Sequence, residues 1–312
     1  MNRRPLGRSE LVIEPLVLGG NVFGWTVDEK LGFSILDAYV DEGFTAIDTA
    51  EGYPNWVPGN PPGMSETIIG NWLKARGNRD KVHVITKVNS AKTPGGLKAD
   101  AIKASVEASL KRLQTDYIDL YFSHWPDAEA SHEETLSAYD MLIRSGKVRA
   151  IGASNYDSAM MKAAQDTAIV KSLPRYEVTQ PLYNLYDREN FEELRPYLLE
   201  NEVGAITYSS LAAGFLSGKY RSADDLGKSP RGGKAETYMN DKGWRILAAL
   251  DAVGEELGAT PSEVALSWLV AQPGVSAPIA SATSIEQVKS LARGVRLALP
   301  DEANARLTQA GA

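Results

Sequence analysis

The chain has 312 residues, of which 43% are hydrophobic and 23% charged, a balance typical of a globular protein and not of a disordered one. It contains no cysteine, which excludes disulfides, thiolate nucleophiles and cysteine-ligated metal. Its formal net charge is −7 and it has no polybasic tail, which disfavours nucleic acid as a partner. The first ten residues are polar and lack a signal-peptide pattern, so we expect a cytoplasmic protein.

Short apolar runs alternate with amphipathic segments along the chain. Eight runs are predicted strands, at residues 15–18, 44–47, 82–86, 117–122, 148–152, 176–179, 203–207 and 275–279. They are mostly apolar on both faces, as in a parallel sheet covered by helices. Eight such units predict a closed (β/α)8 TIM barrel, an α/β fold in one domain over residues 1–312, with an open doubly wound sheet as the alternative.

Apolar residues at helical spacing predict helices between these strands. The clearest stripes are Leu31-Ile35-Leu36-Tyr39-Val40, Ile68-Ile69-Trp72-Leu73, Ile102-Val106-Leu110-Leu113, Phe191-Leu194-Leu198 and Ile285-Val288-Leu291-Val295. Ser65 is a candidate N-cap for the second of them. Residues 264–285 carry no charge, but Gln272, Pro273 and Gly274 interrupt them. We therefore interpret this stretch as a buried helix, a turn and a buried strand, and we expect no membrane partner.

Two segments stand outside this alternation. Residues 3–6 and 11–13 flank Gly7-Arg8-Ser9 and predict an N-terminal β-hairpin that closes the bottom of the barrel. Residues 219–245 hold seven basic side chains against four acidic ones, in a stretch rich in Gly and Ser at 217–243. Such a long loop is usually functional or disordered. A local anion site and a solvated loop are the two interpretations.

Polar side chains follow the carboxyl ends of the predicted strands. In chain order they are Asp48, Lys87, His124, Ser154, Asn155, Gln180, Tyr208 and Ser209. In a barrel these ends open onto one face, which holds the active site. Because Lys and Asp are seldom buried unless paired, Asp48 and Lys87 are predicted partners across the barrel mouth.

Tyr53, in the loop after the second strand, is the candidate general acid. A free phenol has a pKa of about 10 and is a poor proton donor near neutrality. A Lys87 ammonium at ~4 Å would favour the phenolate by about 4 kcal/mol at an effective dielectric of ~20, while Asp48 orients it and offsets part of that effect. Tyr53 would protonate a carbonyl oxygen as hydride reaches the carbonyl carbon, with a hydrogen bond from His124. A Schiff-base aldolase that uses Lys87 as its nucleophile is an alternative.

These motifs resemble those of the aldo-keto reductase superfamily. The resemblance runs from about Arg4 to the helix near Val295, and its motifs lie at 48–53, at Lys87 and His124, at 152–155, at 180–184 and at 208–220. It implies a barrel without metal or flavin that reduces aldehydes or ketones with NAD(P)H. It also implies a catalytic tetrad of Asp48, Tyr53, Lys87 and His124, and a small carbonyl or alcohol as the substrate.

The resemblance further implies where the cofactor contacts lie. Asn155 and Gln180 would hold the nicotinamide carboxamide beside Ser154, and Tyr208 would stack on the nicotinamide ring. The pyrophosphate would follow Ser209, Leu211 and residues 214–218, which include Gly214 and Gly218.

The chain departs from the family pattern after its last strand. Thr283 stands where an arginine commonly binds the 2′-phosphate of NADP. Ser281, Thr283, Ser284 and Gln287 can still donate hydrogen bonds to a phosphate at a helix N-terminus. We expect NADPH over NADH, with a preference weakened by the lost bidentate arginine. Residues 219–245 could compensate by closing over the cofactor.

A second departure follows Tyr53. Residues 54–63 are longer and richer in proline than the family norm, and we expect them to form one wall of the substrate pocket. Phe23, Trp25, Trp56 and Trp125 are candidates for an aromatic lining.

Other functional classes find less support. Gly19-Gly20-Asn21-Val22-Phe23-Gly24 does not match the dinucleotide fingerprint G-x-G-x-x-G, which disfavours the open sheet. The scattered histidines His83, His124 and His132 predict no metal site. An auxiliary subunit that uses NADP(H) on the same barrel as a redox sensor remains the alternative function.

Overall fold

The computed structural model describes residues 3–90 and 94–312. Within them the strands are β1 (Arg4–Pro5), β2 (Val12–Ile13), β3 (Val17–Gly19), β4 (Ala46–Asp48), β5 (His83–Val88), β6 (Ile118–Ser123), β7 (Val148–Ser154), β8 (Val178–Gln180), β9 (Gly204–Thr207) and β10 (Val275–Ala280). Strands β3 to β10 form a closed parallel barrel, in which β10 pairs with β3. The predicted TIM barrel is confirmed, and the alternative prediction of an open doubly wound sheet is wrong. The first and last residues of each barrel strand lie within two positions of their predicted places.

Helices surround this barrel. They are α1 (Glu29–Asp41), α2 (Met64–Arg76), α3 (Ala99–Leu113), α4 (His132–Arg144), α5 (Ser158–Lys171), α6 (Glu189–Glu200), α7 (Gly232–Ala235), α8 (Asp241–Leu257), α9 (Pro261–Ala271), α10 (Ile285–Arg296) and α11 (Asp301–Ala310). All five predicted stripes lie on helices, and residues 264–285 contain the end of α9, a turn and β10, as predicted. Across residues 3–90 and 94–312, no helix combines the length and apolar character needed to span a bilayer.

The predicted cap of α2 is wrong. Gly63, in the left-handed region with φ 72°, precedes the helix, and Ser65 lies inside its first turn. The buried Ser65 hydroxyl donates to Gly20 O at 2.7 Å and accepts from Thr49 Oγ1 at 2.8 Å. A tertiary hydrogen bond therefore uses the side chain that local sequence assigns to capping.

The N-terminal hairpin closes one end of the barrel, as predicted. Leu6, Leu11 and Ile13 are buried with the inward-facing side chains of the barrel, and each such burial stabilises the fold by roughly 1.5–3 kcal/mol. Its turn is fixed by Glu177, whose Oε2 accepts from the Arg8 backbone N–H at 2.8 Å. The plug leaves the carboxyl ends of the strands as the open end.

The basic stretch at residues 217–243 is not an irregular loop. It contains 3₁₀ turns at Ala223–Lys228 and Glu236–Tyr238, with α7 between them. Ser222 begins the first turn with a capping box, and Arg221 donates to both carboxylate oxygens of Asp251 in α8, at 2.6 and 2.8 Å. Short-range caps and one bidentate ion pair thus order a segment that composition alone predicts as a loop.

Candidate active site

A buried ion pair lies at the centre of the open end. Asp48 ends β4 and Lys87 lies near the end of the adjacent strand β5. The Lys87 Nζ donates to Asp48 Oδ2 and to Thr49 O, both at 2.7 Å. The exposed fraction is 0% for Lys87 and 3% for Asp48. The predicted partnership is therefore present, in an environment where loss of either charge leaves the other uncompensated.

A chain of hydrogen bonds extends from this pair across the barrel. Gln180, at the end of β8, donates from Nε2 to Asp48 Oδ1 at 2.9 Å, and Ser154 Oγ donates to Gln180 O at 2.8 Å. Asn155 Nδ2 lies 3.2 Å from Ser154 Oγ, and Tyr208 OH donates to Asn155 Oδ1 at 2.8 Å. Side chains predicted separately as catalytic and as cofactor-binding therefore form one connected network.

Tyr53 lies beside the ion pair. The Lys87 Nζ is 5.0 Å from the centroid of the Tyr53 ring. The ring makes edge-to-face contacts with His124, at 5.7 Å between centroids, and with Trp56, at 5.8 Å. The four residues predicted as a tetrad thus lie close together, although β4, β5, the segment after β6 and the loop after β4 supply them.

The electrostatics of Tyr53 differ from the prediction. Burial raises the pKa of the Tyr53 phenol above its ordinary value, the Asp48 carboxylate adds to the rise, and the Arg231 guanidinium opposes it. The predicted net lowering by Lys87 is wrong, because burial of the phenol is the largest effect on its pKa and the Asp48 carboxylate acts in the same direction. The phenol therefore keeps its proton at neutral pH.

His124 is a neutral imidazole in this setting. Burial lowers its pKa to about 3, and the Lys87 charge contributes in the same direction. Its Nδ1 atom is buried and has no hydrogen-bond partner in the described part of the chain. A neutral ring has one N–H donor and one acceptor nitrogen, so His124 can hydrogen-bond a substrate oxygen but adds no charge.

Three of the four predicted pocket aromatics lie near Tyr53, of which Trp56 contacts its ring directly. Trp25 and Trp56 meet edge to face at 5.6 Å, and Trp125 stacks on His124 at 6.1 Å. Trp56 and Trp125 remain 44% and 46% exposed, which places them on the rim of the mouth. The prediction for Phe23 is wrong, because its side chain is fully buried and packs in the core against α1.

The segment after β9 forms a tight turn of unusual backbone geometry. Ser209, Ala212, Ala213 and Gly214 have φ values of 58°, 46°, 55° and 90°. Leu211 begins the 3₁₀ turn Ala212–Ser217, which ends at Gly218 with φ 75°. Successive N–H groups in such conformations form concave sites for anions. A Cβ on Gly214 would lie 3.1 Å from the Lys219 Nζ, so glycine permits the basic side chain to approach the turn.

The four polar residues predicted near the 2′-phosphate lie together before and within the first turn of α10. Ser284 caps the helix and accepts from Gln287 N at 3.2 Å. Gln287 Oε1 accepts from Thr283 N at 2.8 Å and from Thr283 Oγ1 at 3.2 Å. Ser281 Oγ donates to Asn21 Oδ1 at 2.8 Å.

Arg231 is a site residue that the sequence did not single out. Its guanidinium donates to Asn21 Oδ1 at 3.0 Å and lies 5.5 Å from the centroid of the Trp25 ring. Burial lowers its pKa, and its charge acts on Tyr53. The excess of basic residues at 219–245 signalled a cation here, but not which side chain reaches the mouth.

Comparison with known proteins gives a consistent answer. Residues 15–312 match the family model described as "Aldo/keto reductase family". The chain is 33% identical over 306 residues to "Uncharacterized oxidoreductase YrpG" of Bacillus subtilis, covering 95% of this chain and 92% of that protein. It is 34% identical over 288 residues to "Aldo-keto reductase YhdN" of the same species, covering 88% and 81%. It is also 32% identical over 310 residues to "Probable voltage-gated potassium channel subunit beta" of Arabidopsis thaliana, covering 95% and 91%.

The matched residues 15–312 include all eight barrel strands, β3 to β10, and the polar side chains at their carboxyl ends. The chain belongs to the aldo/keto reductase family of oxidoreductases.

Proposed function

We propose that this protein reduces aldehydes or ketones to alcohols with NAD(P)H, with Tyr53 as the general acid. The observation that carries the proposal is the Lys87 ammonium 5.0 Å from the Tyr53 ring, held there by a buried hydrogen bond to Asp48. A proton donor beside a fixed cation is suited to an oxygen that gains negative charge as the carbonyl is reduced.

Each tetrad side chain has a defined part in this proposal. Tyr53 holds a proton at neutral pH and gives it to the carbonyl oxygen, and solvent restores it afterwards. Neutral His124 donates a hydrogen bond to the same oxygen and orients the substrate. The Asp48–Lys87 pair fixes an ammonium that stabilises the transient phenolate. A nicotinamide held beside these residues would supply the hydride for the carbonyl carbon.

The chemistry of the donor set supports a nicotinamide dinucleotide. Asn155 and Gln180 present amides for a carboxamide, and Tyr208, whose hydroxyl donates to Asn155, presents an aromatic ring beside them for the nicotinamide. The left-handed turn at 212–214 and Gly218 would hold the diphosphate, with Arg231 reaching over it. We infer NADPH over NADH, because the polar groups at the start of α10 favour a further phosphate, although Thr283 cannot bind it bidentately.

The decisive experiment compares Tyr53→Phe with the wild type. We expect unchanged NADPH binding, measured by quenching of tryptophan fluorescence, and a loss of carbonyl turnover of roughly 10²- to 10⁴-fold. Tyr117→Phe, at the opposite end of the barrel, is the matched control and should keep full activity. Turnover of Tyr53→Phe within a few-fold of the wild type would remove Tyr53 as the acid.

A second candidate is an NADP(H)-binding auxiliary subunit that senses redox state. It is favoured by the relative named as a potassium channel β subunit. It predicts that the wild type binds NADPH but reduces no member of an aldehyde and ketone panel.

The aldolase alternative is less well supported, since Lys87 is fully buried and hydrogen-bonded to two oxygens. Borohydride trapping with substrate would reveal a Schiff base on Lys87 if that alternative held.

A further inference from the structure

Glu66 is a buried carboxylate to which the reaction described above gives no part. Its side chain, in the first turn of α2, has no exposed surface. Oε1 accepts from Thr86 Oγ1 at 2.6 Å, and Oε2 accepts from Arg112 Nε of α3, also at 2.6 Å. Glu66 therefore joins two helices to strand β5 on the outer side of the barrel wall.

The Glu66–Thr86 bond acts next to a catalytic side chain. Thr86 and Lys87 are neighbours on β5, and successive side chains of a strand point to opposite faces. Thr86 thus faces the helices while Lys87 faces the interior. A hydrogen bond that fixes Thr86 from outside also fixes the backbone from which the Lys87 ammonium reaches Asp48.

The same turn of α2 also holds the proton donor. The backbone N–H of Ser65, the residue before Glu66, donates to Tyr53 O at 3.1 Å. Gly63 ends the 54–63 loop against Arg112, and a Cβ at Gly63 would lie 2.1 Å from the Arg112 Nε. The first turn of α2 therefore contacts both the backbone of Tyr53 and, through Thr86, the strand that carries Lys87. Tyr53 and Lys87 themselves come from different parts of the chain.

Charge reinforces the geometric link. Burial lowers the pKa of Lys87, while the Asp48 and Glu66 carboxylates oppose that shift. Burial raises the pKa of Glu66. The Arg112 guanidinium and the hydrogen bond from Thr86 oppose this rise. The neutral groups that face Lys87 from other elements are the Tyr53 ring and the His124 imidazole, whose pKa the Lys87 charge lowers.

We propose that Glu66 is a positioning residue that sets Lys87 relative to Tyr53, by clamping Thr86 from outside the barrel while the preceding residue holds the Tyr53 backbone. This inference rests on the proposed carbonyl reduction for its kinetic consequence. The placement of Lys87 can be tested without that activity.

Two variants separate the parts of the clamp. Glu66→Gln removes the charge but keeps an oxygen for Thr86, and Thr86→Val removes the hydroxyl but keeps the charge. Asp119→Asn is the matched control, because Asp119 is equally buried and paired with Arg79 and Arg149, but at the amino-terminal end of the barrel. All three should lower the thermal unfolding midpoint.

The kinetic readout is kcat against KM for an aldehyde with saturating NADPH. Glu66→Gln and Thr86→Val should each lower kcat roughly tenfold with little change in KM, since small misplacements of reacting groups cost rate. Asp119→Asn should leave kcat unchanged. If both clamp variants lose stability but keep wild-type kcat, as Asp119→Asn does, Glu66 is merely structural and the proposal is wrong.

The second readout needs neither cofactor nor turnover. It is the pH titration of the Lys87 ¹⁵Nζ resonance in the full-length protein, assigned by its absence in Lys87→Met. The midpoint should move to lower pH in Glu66→Gln, which removes a nearby charge, and also in Thr86→Val, which keeps that charge but releases Lys87 from its contact with Asp48. It should stay in place in Asp119→Asn. An unmoved midpoint in Thr86→Val overturns the placement of Lys87 by the clamp, and an unmoved midpoint in Glu66→Gln overturns the action of the Glu66 charge on Lys87. A wild type that reduces no carbonyl would overturn the proposed function instead, and this titration would still decide the placement of Lys87.

Discussion

Asp48→Asn should destabilise the protein in a way that depends on pH. The variant keeps the shape of the side chain and an oxygen for Gln180 or Lys87, but it leaves the buried ammonium without a counter-charge. Breaking a buried pair by removing one partner costs about 3–5 kcal/mol. At about 2–4 °C per kcal/mol, the lower bound corresponds to a drop in Tm of roughly 6–12 °C.

The sign of the pH dependence follows from Lys87. Burial lowers its folded-state pKa, so the unfolded chain binds more protons than the folded one between the two pKa values. Stability from this group therefore rises with pH until the unfolded pKa of about 10.4 is reached. The Asp48 carboxylate opposes the lowering of the Lys87 pKa by burial. In Asp48→Asn that pKa should fall further, so stability should depend more steeply on pH than in the wild type. The difference in unfolding free energy between Asp48→Asn and the wild type should therefore become smaller between about pH 7 and about pH 10.

The assay is thermal or urea unfolding across that range, read by tryptophan fluorescence. Asp37→Asn is the control, since Asp37 pairs with Arg76 at the surface, and such pairs contribute about 1 kcal/mol or less. An Asp48→Asn variant that unfolds at the wild-type midpoint near pH 7, or whose loss of stability grows as the pH rises, would contradict this prediction.

Two further predictions concern the cofactor. Thr283→Arg should raise the ratio of kcat/KM for NADPH over NADH by about tenfold, because an arginine can bind a 2′-phosphate bidentately; an unchanged ratio in steady-state kinetics would place the 2′-phosphate elsewhere. Saturating NADPH should protect residues 219–245 from limited proteolysis, and Arg231→Ala should reduce that protection; equal cleavage with and without NADPH would show that the segment does not close over the cofactor.

The barrel and the cluster of polar side chains at its open end could be predicted because their signals are local. Each strand is a short apolar run, and Asp48, Lys87 and His124 directly follow or end such runs. In a closed parallel barrel, local position fixes which end of the molecule a residue occupies. A correct strand assignment therefore places these side chains together without knowledge of any contact.

The remaining features depend on contacts between distant segments. Arg231 meets Asn21 across 210 positions, which no periodicity encodes. Ser65 is drawn from capping by Thr49 and Gly20, and Phe23 is enclosed by α1. The direction of the Tyr53 pKa shift likewise depends on how burial and two opposite charges balance, which only coordinates reveal.

The hairpin plug fills the amino-terminal end of the barrel interior. Among the described residues, Leu6, Leu11 and Ile13 place hydrocarbon in the barrel interior on the side of Lys87 away from the carboxyl ends of the strands. If the proposed function holds, substrate, product and the proton that recharges Tyr53 would enter and leave at the carboxyl end of the barrel, where Trp56 and Trp125 are partly exposed. The side chains on that rim would then govern how fast molecules are exchanged, in addition to which molecules are accepted.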